Sequence, residues 1–132
     1  MTRMPALKPL RRPRLWLGAW WCGIALVVLL SLAPAFLLPQ VPAGGDKAEH
    51  FLAYFTLAAA AVQLFATRGA LLRAGTGLVA LGIALEIEQA LLTSTRQMDV
   101  HDALANTLGV LAGLATALAP GRDLLLHYDR RG

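Results

Sequence analysis

One cysteine, few charges and few aromatics set the first bounds on this chain. Cys22 stands alone, so no internal disulfide exists, and it lies in an apolar run where a thiol packs as a small hydrophobe. Charged residues make up 15% of the 132 and aromatics 7%. That leaves too little polar surface for an ordinary water-soluble domain. HExxH, paired cysteines and nucleophile motifs are all missing, which removes the sequence signatures of zinc peptidases, zinc knuckles and nucleophilic hydrolases. A pI near 10 would fit nucleic acid. No basic patch interleaves with aromatics, however, and the basic residues stand at the ends of apolar runs, so nucleic acid is not an expected partner.

What the chain has is hydrophobic length. Hydrophobic residues are 57% of the total and the mean hydropathy is +0.57. Residues 1–14 carry Arg3, Lys8, Arg11, Arg12 and Arg14 among prolines and read as a basic, unstructured tail. Residues 15–33 are uncharged, about 28 Å long as a helix, with Trp16, Trp20 and Trp21 where an interfacial aromatic belt belongs. A basic start before an apolar run also fits a cleaved leader, but this run is longer than a leader's apolar core. Pro34, Pro39, Pro42, Gly44 and Gly45 close the first helix. Three further helices are expected at about 48–67, 74–92 and 103–119, with Asp46 and Asp102 as N-terminal caps, Arg68 and Arg73 in a loop, and Pro120-Gly121 as a stop. Residues 120–132 form a polar, basic tail.

The charges give an orientation. Ten of the twelve Lys and Arg residues fall in the first tail, the 68–73 connection and the last tail (5 + 2 + 3), against Lys47 and Arg96 on the other side. By the positive-inside rule the expectation is an all-α, four-helix transmembrane bundle with both termini cytoplasmic. Acidic residues follow the reverse pattern. Asp46, Glu49, Glu86, Glu88, Asp99 and Asp102 gather toward the outer side, leaving Asp123 and Asp129 inside.

Spacing then sorts the polar residues into faces. Asp46, His50 and Tyr54 recur every four residues on the second helix, and Glu86 and Gln89 are three apart near the outer end of the third. Asp102, Asn106, Gly109 and Gly113 share one face of the fourth, where the two glycines form a GxxxG packing motif. Glu88 points away from Glu86, toward the interface or Arg96. The first helix offers only Ser31 and reads as peripheral. Each polar residue taken singly has a structural reading, as a cap or a satisfied core group. Their shared depth on three helices, with a buried Glu behind two caps, points instead to a pocket.

The residues Asp46-Lys47-x2-His50-Phe51-x2-Tyr54-x2-Leu57, Glu86-x2-Gln89 and Arg96-x5-Asp102-x3-Asn106-Thr107-x-Gly109-x3-Gly113 resemble the signature of the VanZ-like family, over about residues 31–119. Ser94-Thr95 stands where that pattern carries Pro-Gly before the arginine. The resemblance implies a small multi-pass protein of the bacterial inner (plasma) membrane, in a family whose namesake is associated with teicoplanin resistance.

Three functions compete on this evidence. The first is a non-enzymatic envelope protein whose outer-leaflet pocket, formed by Asp46, Lys47, His50, Tyr54, Glu86, Gln89, Arg96, Asp102 and Asn106, binds the headgroup of a membrane lipid or a lipid-linked cell-wall precursor. In it, Lys47 and Arg96 take phosphate and the carboxylates take amines or sugar hydroxyls. The second is an intramembrane enzyme with His50, Asp46 and Glu86 as acid–base groups. The third is a proton-coupled carrier; four short helices make a thin pathway, so it would act as a homo-oligomer. A divalent metal on Asp46, His50, Glu86 and Asp102 is conceivable, but with no ligand motif to support it, neither a metal nor a cofactor is expected.

Overall fold

The computed structural model of the protein describes residues 5–33, 45–92 and 100–132. The described residues are helical apart from a short N-terminal segment and the connections between helices. The helices are α1 (Pro13–Leu32), α2 (Gly45–Leu64), α3 (Arg68–Leu92), α4 (Val100–Ala115) and α5 (Leu124–Arg131), with two 3-10 turns, Thr116–Leu118 and Pro120–Asp123, between the last two. Two helices, α1 and α3, are long and apolar enough to cross a membrane. A third candidate arises if α4 and the segment after Pro120, bent by 83°, are counted as one span.

Helix boundaries shift where local chemistry outweighs the hydrophobic pattern. Arg68 and Arg73, expected in a loop, lie in α3, because the Thr67 hydroxyl accepts from the Ala70 N–H at 3.1 Å and starts the helix six residues early. Asp46 and Asp102 occupy first turns of α2 and α4 rather than preceding them. There a carboxylate still complements the positive end of the helix dipole.

The core runs along α2. Tyr54, Leu57, Ala58, Ala61, Val62 and Leu64 are buried there, and α4 makes the most extensive contact with it. Small residues permit that contact. A Cβ on Gly109 would run into the Phe51 carbonyl, and one on Gly113 would lie 2.5 Å from Ala58 Cβ and 2.6 Å from the Phe55 carbonyl. The two backbones therefore touch directly. α1 leans on α2 through Trp20, whose indole N–H donates to Leu57 O at 2.9 Å and whose ring meets Phe65 edge-on. Its outer face shows Leu15, Trp21, Leu26, Leu29 and Leu30, while α4 exposes Leu104, Leu108, Leu111 and α3 exposes Ile83, Ile87, Leu91. An apolar exterior of this extent is a liability in water and a match for lipid.

Both terminal segments dock at one end of this assembly. The expected unstructured tail is ordered from Ala6: Lys8 N–H donates to Leu64 O at 2.8 Å, Ala66 N–H donates to Ala6 O at 2.7 Å, and Leu10 is buried. These bonds satisfy backbone groups that the end of α2 leaves open. The basic C-terminal tail forms α5, and its Asp129 accepts from the Arg11 and Arg12 amides and from Trp16 Nε1 at 2.8 Å. Arg12, the N-cap residue of α1, makes no side-chain cap bond, and Asp129 instead holds the backbone leading into that helix from the other end of the chain. Burial raises the Asp129 pKa, but the Trp16 and backbone N–H donors outweigh it and hold the carboxyl below its ordinary value. Asp123 is likewise held low, chiefly by its hydrogen-bonded pair with Lys8 at 2.8 Å. Gln63 joins the ends, donating to Gly121 O and accepting from Leu125 N–H.

The glycine contacts are testable. Gly109→Ala and Gly113→Ala should each destabilise the detergent-solubilised protein by about 1–3 kcal/mol through overpacking. Gly77→Ala, where an added Cβ meets nothing within 4 Å, should be neutral or stabilising by up to about 1 kcal/mol from helix propensity. Equal melting temperatures for all three variants would refute close α2–α4 contact.

Candidate functional site

At the end of the assembly opposite the docked tails, α2, α3 and α4 bring their polar faces together. Each contributes residues near its terminus at that end. α2 supplies Asp46, Lys47, His50 and Tyr54, α3 supplies Glu86 and Gln89, and α4 supplies Asp102 and Asn106. The four-residue repeat on α2 and α4 keeps each set on one stripe, and the glycine contact holds those two stripes against each other. Glu86 and Gln89 are each only 2% exposed. Carboxylates and amides at that depth need partners, because an unpaired buried polar group costs several kcal/mol.

His50 is the hub. Its Nδ1 lies 2.9 Å from Asn106 Oδ1 and 4.0 Å from Glu86 Oε1, and its Nε2 lies 3.8 Å from Asp102 Oδ2. Lys47 Nζ bridges Asp102 Oδ1 at 3.2 Å and Asp46 Oδ2 at 3.1 Å. Asp102 thus divides its oxygens, one toward the ammonium and one toward the imidazole. Asp46 pairs with Lys47, and the carboxylate nearest His50 Nε2 is Asp102. Gln89 turns the other way, donating from Nε2 to Ser31 O at 2.7 Å and anchoring α1 to α3.

Tyr54 has a different status. Its ring and the Asn106 side chain meet over Gly82, where a Cβ would lie 3.3 Å from Tyr54 Cε1 and 3.1 Å from Asn106 Nδ2. Its hydroxyl is buried without a hydrogen-bond partner among the described residues. Native proteins rarely leave such a group unsatisfied.

Of the nine pocket residues expected from sequence, the structure gathers Lys47, His50, Glu86, Asp102 and Asn106 by direct contact, places Tyr54 beside Asn106, joins Asp46 through Lys47, and assigns Gln89 to the α1 contact. Arg96 lies outside the described residues. Glu88 is exposed, away from the cluster. Two members escaped sequence reasoning. Gly82 makes room for Tyr54 and Asn106, and its position one turn before Glu86 was the available signal. The Ser31 carbonyl left no signal, since every residue has one.

A cavity of about 270 Å³ opens at the opposite end, lined by Lys8, Val62, Phe65, Leu71, Arg122 and Leu126. Lys8 there pairs with Asp123 and donates to the Arg122 carbonyl, and Arg122 Nε lies 3.7 Å from the same carboxylate.

Comparison with protein-family models, with curated proteins and with solved structures finds no match for this chain. The geometry of the cluster therefore carries the functional argument.

Burial separates the two neighbouring glutamates. Glu86→Gln should lower the melting temperature or change ligand retention, because it removes a charge from a paired, buried network. Glu88→Gln should leave both unchanged, as expected for an exposed position. Indistinguishable variants would place Glu86 outside the functional cluster.

Proposed function

We propose that this is a VanZ-like protein of the bacterial plasma membrane, crossing it with α1–α4 and keeping both terminal segments in the cytoplasm. On this reading the cluster at the outer end engages the polar headgroup of a membrane lipid or lipid-linked cell-wall precursor. The observation that carries it is the meeting of His50, Glu86, Asp102 and Asn106 from three helices, within an assembly whose exterior is apolar. A chain with so few charges concentrates them where a polar ligand is met. Lys47, with its side chain 39% exposed, stands at the rim, where an ammonium meets a headgroup phosphate. The deeper carboxylates and Asn106 offer acceptors to hydroxyls and amines. A link to glycopeptide resistance or to envelope homeostasis rests on the VanZ-like resemblance alone.

The four-span topology draws on three features. α2 is 20 residues long, about 30 Å, and in its charged first turn Lys47 pairs with Asp46 and with Asp102 of α4. The docked tails lie together at one end, as an even number of crossings requires. Among the described residues, that end carries every Lys and Arg except Lys47.

The acid–base reading has one observation of its own, the His50 Nε2–Asp102 Oδ2 approach, which pairs a candidate base with an orienting carboxylate.

Native mass spectrometry and lipidomics test the binding reading. Wild-type protein should retain a phosphate-bearing or amine-bearing lipid that a folded Glu86→Ala, Asp102→Asn double variant loses; equal lipid content in the two proteins would refute it. For topology, a cysteine at Gly45 in a Cys22→Ser background should react with an impermeant thiol reagent on intact cells, and one at Gly132 should not. The reverse pattern would invert the orientation.

A further inference from the structure

His50, Glu86 and Asp102 come from three different helices, yet one donor atom from each lies within 4.8 Å of the others. An ion bound at about 2.0–2.2 Å holds its donors roughly 3–4.3 Å apart, and the 3.8 Å between His50 Nε2 and Asp102 Oδ2 falls in that range. We propose that the centre of the cluster is a divalent metal site, with the His50 imidazole and the Glu86 and Asp102 carboxylates as ligands. One nitrogen and two carboxylate oxygens form a borderline-to-hard donor set that suits zinc or manganese better than copper or an all-oxygen calcium site. The inference goes beyond the headgroup reading and does not depend on it.

Two observations besides the cluster support the ion. The first is how His50 is held. Asn106 Oδ1 can only accept, so Nδ1 donates to it at 2.9 Å, and Nε2 is the ring nitrogen that faces a carboxylate oxygen, Asp102 Oδ2, at 3.8 Å. The same Nδ1–H···O contact is how metal-bound histidines are usually oriented, by donating their other nitrogen to an oxygen outside the coordination shell. The second is the Tyr54 hydroxyl, buried and unpartnered among the described residues, on a ring that borders Gly82 together with Asn106. An oxygen ligand completing the coordination of an ion would supply its missing partner.

Lys47 competes with the ion for Asp102, since its Nζ already lies 3.2 Å from Oδ1.

The test is metal content and affinity of the full-length protein in detergent. After removal of metal by chelator and re-equilibration with zinc or manganese, mass spectrometry should find about one ion per chain. His50→Ala and Asp102→Asn should abolish stoichiometric binding, and Asn106→Ala should weaken it by about 10–100-fold, as for other groups that orient a metal ligand. Lys47→Met should tighten binding, a gain that a misfolded protein cannot produce. Wild-type protein without a stoichiometric ion would overturn the site. Unchanged affinity in Lys47→Met together with either ligand variant would also overturn it. So would a doubly protonated His50 by nitrogen NMR that persists when metal is added. Wild-type protein that retains lipid but no ion would remove the metal site alone, and leave the headgroup reading standing.

Discussion

The direct contact between the α2 and α4 backbones governs what this protein can do. Gly109 and Gly113 let the two helices approach until carbonyl meets Cα, and in lipid, where hydrophobic burial gives no advantage to helix pairing, that packing is what associates them. Its consequence lies two turns away. Asn106 and Asp102 precede Gly109 on the same stripe, so the approach that the glycines allow also presses those side chains against His50 and Lys47. A helix pair held apart by even alanine-sized residues would leave the imidazole facing a gap.

The polar cluster in turn limits how α3 can sit. Glu86 is too deep to reach water from a lipid-facing surface, so α3 must rotate until that carboxylate faces His50, and Gly82 one turn earlier then opens onto Tyr54 and Asn106. With Glu86 turned inward, Ile83, Ile87 and Leu91 are left outward. A buried network of this kind contributes little net stability, because desolvation offsets most of the Coulomb attraction. It does fix one rotation of α3 where a purely apolar helix would have several of similar energy.

Much of this was legible in the chain because helical spacing converts directly to facing. The repeat of Asp46, His50 and Tyr54, and that of Asp102, Asn106, Gly109 and Gly113, needed only 3.6 residues per turn to predict stripes, and Glu86 could be separated from Glu88 in the same way. What escaped was contact made by groups without sequence identity. The carbonyls of Leu64, Leu57 and Ser31 receive Lys8 N–H, the Trp20 indole and the Gln89 amide, and no pattern marks a carbonyl. The basic tails looked solvated because charge dominates their composition. Two interior apolar residues, Leu7 and Leu10, and one acid, Asp129, were enough to dock them. Pairing Asp102 rather than Asp46 with His50 also lay beyond spacing, since it depends on how far α4 slides along α2.

Helix direction explains how so acidic a cluster persists. Gly109 lies against Phe51 and Gly113 against Phe55 and Ala58, so α2 and α4 run parallel and both begin at the cluster. Each N-terminus presents the equivalent of about half a positive charge, and Asp46 and Asp102 sit in those first turns. Two dipoles and Lys47 therefore face the carboxylates of α2 and α4. Glu86 sits differently. It belongs to the last turns of α3, whose C-terminal dipole is negative, so its own helix does not favour its charge as those of Asp46 and Asp102 do. The His50 ring lies 4.0 Å from it, between that carboxylate and Asp102, and joins the acid of α3 to the acid of α4.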